Sequence, residues 1–328
     1  MFDTNLLDTL KNPVMSLLIA TFLTANPQLQ ILWFGLRRFI TVRRVIALVS
    51  PHRLVCCWQE GTSWRWRSGR WPLECVHKGV PLQREAIAGL LADLLLDCNL
   101  VGVQLELVLP PEGVHWCVME GLDPQQFNEA DLSGADWLKL GWPLEASNSY
   151  ISFCMCADQV VVVGLPRSTL QAWIDVVELA DLPLRRIDWL VTSAFRGLML
   201  NPGLCSGDLA WVFPDETGTR LVLSRGGVPE LDCSINVDKT ALLSLELRRR
   251  VAAWQTHAGG SWPLAWCLSL PHESIQQLQG LIDPDRQESA VGSAMSWSPI
   301  SLLPDCEGDE LSPLERLALL GMREDIYT

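Results

Sequence analysis

Val160–Leu198 reads VVVVGLPRSTLQAWIDVVELADLPLRRIDWLVTSAFRGL, and its grammar decides the fold class. Valines open a strand that runs into Gly164-Leu165-Pro166. A helix is predicted next, with Ser168 as N-cap and Leu170, Trp173, Ile174 and Val177 sharing one face. Leu182-Pro183 stops it, because a residue before proline is pushed out of the helical region. Leu184–Trp189 then reads as a short strand and Thr192–Leu200 as a second helix. Strand, helix, strand, helix is the alternation of an α/β layer structure.

The flanks repeat it. Toward the N-terminus, Val45–Val49 and Arg53–Trp58 are apolar runs around Ser50-Pro51-His52, a hairpin turn. Ser63–Arg67 alternates Trp with Arg, as a strand with one wet face should. Arg84–Cys98 carries a helical stripe of Ile87, Leu90, Leu91, Leu94 and Leu95, and Val103–Leu109 and His115–Met119 read as strands. After the polar stretch Asp123–Asp136, Tyr150–Cys156 and Gln159–Val163 form a predicted hairpin around Ala157-Asp158. Beyond the Gly-bearing break Asn201–Gly207 come strands at Leu209–Phe213, Thr219–Ser224 and Val228–Ile235. Asp238 is the expected cap of a helix whose Leu243, Leu247, Val251 and Trp254 lie on one side. A strand at Leu264–Leu270, a short helix at Ser274–Ile282, an acidic loop at Ser289–Asp309 and a last helix at Pro313–Glu324 complete the pass. Strands, then helix, then strand, occurring twice, place the chain in a mixed α/β class with two similar lobes.

Of the 328 residues, 48% are hydrophobic and 19% charged, which excludes a mainly disordered or coiled-coil protein. A formal charge of −13 repels phosphate backbones, so no nucleic-acid partner is expected. The eleven cysteines are an odd number, form no CxxC pair and sit largely in apolar runs such as RLVCCW and ISFCMC. They read as buried reduced thiols rather than disulfides or metal ligands, which points to a reducing cytosol. Residues 13–36 carry no charge and precede Arg37, Arg38, Arg43 and Arg44, but Asn26-Pro27-Gln28 and Gln30 interrupt them. Two short apolar pieces remain, neither long enough to span a bilayer, so residues 1–43 are expected to be an amphipathic or disordered leader. The fifteen Trp read mainly as half-buried sheet residues, and Arg248–Arg250 as the solvated face of a helix, with an anion site as the lesser reading. His115, His257 and His272 stand in no nucleophile context, and Asp305–Glu310 lacks the spacing of a calcium loop.

Order and spacing together resemble the PilM-like branch of the actin-like ATPase superfamily, the cytosolic scaffolds of type IV pilus assembly. The likeness spans Val45 to Met322 and is carried by Val160–Leu198, by TRLVLSRGGVPELDCSI (Thr219–Ile235) and by LERLALLGMRE (Leu314–Glu324), with Asp188 and Ala194 at the expected places. It implies a two-lobed actin-like ATPase fold built of duplicated ribonuclease-H-like domains. Residues 44–200 would form lobe I with an inserted subdomain, residues 201–285 lobe II, and residues 286–328 an acidic loop and a closing helix returning to lobe I.

The resemblance also implies two phosphate turns, each with an acid and a glycine to bring backbone amides and Mg²⁺ to a nucleotide. Here the first is Val49-Ser50-Pro51-His52-Arg53, with no carboxylate, no Gly, and a proline that lacks an N–H. The second is Phe213-Pro214-Asp215-Glu216-Thr217-Gly218-Thr219, in which Asp215, Thr217, Gly218 and Thr219 are the nucleotide-binding remnant. The adenine-side loop Leu268-Ser269-Leu270-Pro271-His272 lacks the expected glycines. The expectation is therefore a non-catalytic scaffold with degenerate nucleotide binding and no cofactor. Its partner would be the cytoplasmic N-terminal peptide of a PilN-like bitopic inner-membrane protein, taken in a groove at Tyr150–Val163 and the polar stretch before it, with self-association into a ring. It would lie in the cytoplasm, peripheral to the inner membrane. The alternative is an active Mg-ATP-binding member of the actin-like ATPase and sugar-kinase superfamily.

Overall fold

The computed structural model describes residues 43–50, 52–61, 63–71, 75–119, 142, 144–156, 159–200, 208–215, 218–237, 239–258, 264–270, 274–275, 278 and 311–322. The leader 1–42, Asp123–Asp136, Asn201–Gly207, Asp238, most of Ser274–Ile282 and Asp305–Glu310 lie outside them.

Lobe I opens with an antiparallel meander of β1 (Arg44–Ser50), β2 (Arg53–Glu60) and β3 (Ser63–Arg70). Ser50 pairs with Arg53, so two residues join β1 to β2. A small hairpin, β4 (Val76–His77) and β5 (Val80–Pro81), leads to α1 (Arg84–Asp97). α1 crosses over and β6 (Gln104–Leu109) returns parallel to β1. Both strands are covered on two faces, which is why they read as continuous apolar runs rather than alternating ones. An inserted antiparallel sheet follows, β7 (His115–Met119), β8 (Ser149–Cys156) and β9 (Gln159–Pro166), in the order β7-β9-β8. Then come α2 (Arg167–Leu179), β10 (Leu184–Trp189) parallel to β6, and α3 (Leu190–Met199). The five-stranded sheet has the order β10-β6-β1-β2-β3.

Lobe II repeats the plan. β11 (Leu209–Asp215), β12 (Gly218–Arg225) and β13 (Val228–Ile235) form a second meander, α4 (Thr240–His257) crosses over, and β14 (Ala265–Leu268) lies parallel to β11. The order β13-β12-β11-β14 matches β3-β2-β1-β6 strand for strand, the duplication that the sequence predicts. α5 (Pro313–Gly321) then packs across α3.

Two helices start earlier than the sequence predicts. The α2 helix begins at Arg167 after Pro166, and Ser168 caps nothing. β9 pairs Pro166 with Ser149 and the chain turns helical directly after it, so Ser168 already lies inside the first turn, where an extended N-cap residue cannot stand. The α3 helix begins at Leu190 rather than Thr192, because the Asp188 carboxylate accepts from the Trp189 N–H at 2.8 Å and from Thr192 Oγ1 at 3.1 Å. Lobe II's last strand is shorter than expected, although the Ser269 N–H still reaches the Val212 carbonyl at 2.8 Å.

The core of lobe I runs from the β1 and β6 valines and leucines through α1, α2, α3 and α5, and continues into lobe II through Trp211 and Phe213. An aromatic chain makes that join: Phe195 of α3 stands between Trp116 and Trp211, and Trp211 lies 4.3 Å from Phe213. The second core packs Leu243, Leu247, Val251 and Trp254 of α4 on β11 and β12. α3 and α5 meet at two glycines, Gly197 and Gly321. A Cβ on either would fall inside the van der Waals shell of the Leu317 or Ser193 carbonyl oxygen. Cys56, Cys57, Cys75 and Cys267 are buried, and burial pushes Cys56 and Cys267 up to about 12. Among the described residues no helix is long and apolar enough to cross a membrane.

Candidate functional site: the cleft between the lobes

A cleft of about 1480 Å³ opens where the two meanders face each other. Ser50 and His52 of the β1–β2 turn line it, as do Pro214 at the end of β11, the β4–β5 turn, the loop from Pro111 to Val114, His115 and Trp116, Arg220, Asp232 and the start of α5. Small-molecule sites occupy roughly 300–1,000 Å³, so this space suits a ligand larger than a metabolite.

The first turn is occupied by the protein itself. Glu315, 2% exposed, is carried in by the first turn of α5. One of its oxygens accepts from Ser50 Oγ at 3.0 Å, and the other accepts from Arg53 and from the Ser312 N–H at 2.7 Å. Ser312 Oγ in turn accepts from the Glu315 N–H at 3.3 Å, completing a capping box with Pro313 at the helix start. A carboxylate therefore does stand at this turn, supplied from the far end of the sequence. Its oxygens are taken up by an arginine, a hydroxyl and a helix N-terminus.

The second turn and the cleft mouth are bound together by a cluster spanning both lobes. Asp232 of β13 and Arg220 of β12 form a two-pronged pair, 2.7 Å at each prong, and each side chain is 11% exposed. From lobe I, the Trp116 indole N–H also donates to Asp232, and the Pro111 carbonyl accepts from Arg220 at 3.0 Å. The guanidinium lies over the Trp189 ring, 5.3 Å from its centre, while Trp189 donates to Pro111 at 3.2 Å and meets Trp116 edge to face. This latch crosses the cleft with the protein's own groups. His115 stands beside it; burial, and next the Arg220 charge, hold its imidazole below the ordinary value, with Asp232 pulling the other way.

The four remnant residues are placed as follows. Asp215 pairs with Gly218 to end the β11–β12 hairpin, and Thr217 lies outside the described residues. Gly218 has φ +147°, and a Cβ there would come within 2.6 Å of the Ile235 carbonyl oxygen, so close packing on β13 already requires a glycine. Thr219 pairs with Pro214 and Ile235 inside the sheet. Phe213 is fully buried against Trp211, whose indole N–H donates to Ser269 Oγ at 3.0 Å in the loop expected to face adenine. Tyr150–Val163 runs through β8 and most of β9, and none of its described residues lines the cleft; β7 does. Glu315, Arg220, Asp232 and Trp116 were not legible as one site. Only Ser312-Pro313-Leu314-Glu315 carried a readable signal, a serine followed three residues later by Glu. Among the described residues no cluster of His, Cys, Asp and Glu is grouped to hold a metal.

Two duplicated meander-and-crossover lobes facing one cleft define the actin-like ATPase fold. Among solved structures, a chain of the PilM–PilN type IV pilus biogenesis complex shares this fold with a TM-score of 0.59 at 15% identity, over 86% of this chain and 99% of that one. The likeness to PilM-like proteins thus holds at the level of fold, at a wide sequence distance. A Bacteroides thetaiotaomicron protein with an actin-like ATPase fold matches at 0.47 and 10% identity, over 74% and 87% of the two chains. The cytoplasmic domain of EpsL, an inner-membrane component of the Vibrio cholerae type II secretion system, matches at 0.43 and 12%, over 85% and 94%. No protein-family model matches the chain, and no curated protein matches it in sequence.

Proposed function

We propose that the chain is a non-catalytic scaffold of a type IV pilus, secretion or competence assembly system. It works in the cytoplasm at the inner membrane, where its cleft takes the cytoplasmic N-terminal peptide of a PilN-like one-span protein. The observation that carries this reading is the state of the first turn. Pro51 offers no amide, and Glu315, the acid at hand, is spent on Arg53, Ser50 and Ser312. Phosphoryl-transfer sites need amides around the phosphates and a free acid for Mg²⁺. The Arg220–Asp232–Trp116 latch supports the same reading, since the protein's own side chains link the lobes across the cleft. A cleft larger than a metabolite needs suits an extended peptide, held by main-chain bonds and side-chain pockets.

Isothermal titration of the whole chain tests both halves. Mg-ATP and Mg-ADP should give no binding heat; micromolar binding of either overturns the degenerate-site reading. A synthetic peptide of the first residues of a one-span membrane protein encoded beside this chain should bind, and Trp116→Ala should weaken it. No heat with that peptide overturns the partner reading.

A further inference from the structure

The α4 helix turns an unusual outer face to solvent. Leu243, Leu247, Val251 and Trp254 bury its inner side on the lobe II sheet. On the opposite side Leu242 is 51% and Leu245 64% exposed, among the larger exposed apolar side chains of the molecule. At about 3.6 residues per turn, Leu242, Leu245 and Arg249 fall in one line along the helix. Exposed Lys239 stands at one end of the leucines and exposed Arg248, Arg249 and Arg250 at the other. Glu246, the acid within the helix, is held by Arg250 at 2.8 Å and Arg249 at 3.6 Å. The segment 238–257 thus has a net charge of +2 inside a chain of −13.

We propose that this face is a docking surface for an anionic membrane, with Leu242 and Leu245 entering the headgroup boundary and Lys239 and Arg248–Arg250 meeting lipid phosphates. Two observations select a membrane over a protein groove. Exposed Leu242 and Leu245, with Lys239 before them and Arg248–Arg250 after them, can sink into the headgroup boundary while the long basic side chains stay at the phosphates. The charge is local and opposite in sign to the rest of the molecule, so attraction to acidic lipid would orient the protein with lobe II inward. The proposal is independent of the peptide-binding reading, because α4 contributes nothing to the cleft.

The test is flotation of the full chain with phosphatidylcholine vesicles, with and without phosphatidylglycerol, at low and high salt. The chain should float with phosphatidylglycerol vesicles at low salt, and high salt should release it. Each of two surface variants, Leu242→Ser/Leu245→Ser and Arg248→Glu/Arg249→Glu, should weaken binding about tenfold or more while far-ultraviolet circular dichroism stays unchanged. Binding to both vesicle types alike, or binding that both variants leave intact, overturns the proposal and puts the lipid contact elsewhere, as in residues 13–36. Failure to float, joined to a change of sedimentation coefficient in the variants, overturns it in favour of a protein partner for α4. Peptide titration on the same variants should be unchanged, which keeps this outcome separate from that of the scaffold reading.

Discussion

At the residue scale, the tightest constraint lies where α3 and α5 cross. Gly321 and Gly197 let two backbones touch, and any side chain there must push the helices apart. Gly321→Ala should destabilise the protein by about 2–3 kcal/mol, read as a lower urea midpoint with an unchanged slope. A conservative swap elsewhere on α5, such as Leu319→Met, should cost far less. His115 gives a second residue-level expectation. Its folded pKa is held below the unfolded one, so the unfolded chain binds the extra proton as pH falls below about 6.5. Stability should therefore be level above that pH and decline below it toward the folded pKa. His115→Gln should remove that part of the decline, and denaturation midpoints at pH 7.5 and 5.5 compare the two. An identical decline in the variant would assign the effect to other groups.

At the scale of elements, the first turn of α5 is as much part of the cleft wall as of the helix. Glu315→Ala removes a capping box and leaves Arg53 without its carboxylate, so a loss of about 2 kcal/mol or more is expected in thermal denaturation. Glu315→Gln should keep part of it, since an amide oxygen still accepts from Ser50. The thiols offer a companion measurement. Cys56 and Cys267, buried and pushed up to about 12, should resist iodoacetamide in the folded chain and react once urea unfolds it, as site-resolved mass spectrometry would record. Elements of this kind were readable in advance to very different degrees. The meanders and crossover helices were, because their strands are either continuous apolar runs or strict alternations and their helices carry one stripe. Boundaries were less so: Ser168 has the chemistry of a cap, but the helix already begins at Arg167, directly after the last strand residue, Pro166. The cleft was hardest. Arg53 and Glu315 are separated by 262 positions, and Trp116 and Asp232 by 116, so no local pattern announces either contact.

At the scale of the whole molecule, the two lobes are joined by the aromatic chain and by the latch of Arg220, Asp232 and Trp116. Asp232→Asn should cost about 2–4 kcal/mol, because it removes the charge from a nearly buried two-pronged pair with Arg220. It should also speed amide exchange in β7 and β13 together, the signature of lobes parting rather than of one strand fraying. Trp116→Phe keeps the ring beside Trp189 and Phe195 but deletes the donor, and a double-mutant cycle with Asp232→Asn gives the coupling across the cleft. The crossing of α3 with α5 bears on biosynthesis as well. The strand that founds lobe I is made early, yet the helix seated against Ser193 and Gly197 emerges from the ribosome last among the described elements. Lobe I must wait, half-dressed, until residues 313–321 have been made, whereas every described strand of lobe II is already available. Nascent chains stalled before residue 311 should accordingly present a protease-sensitive first lobe beside a resistant second one.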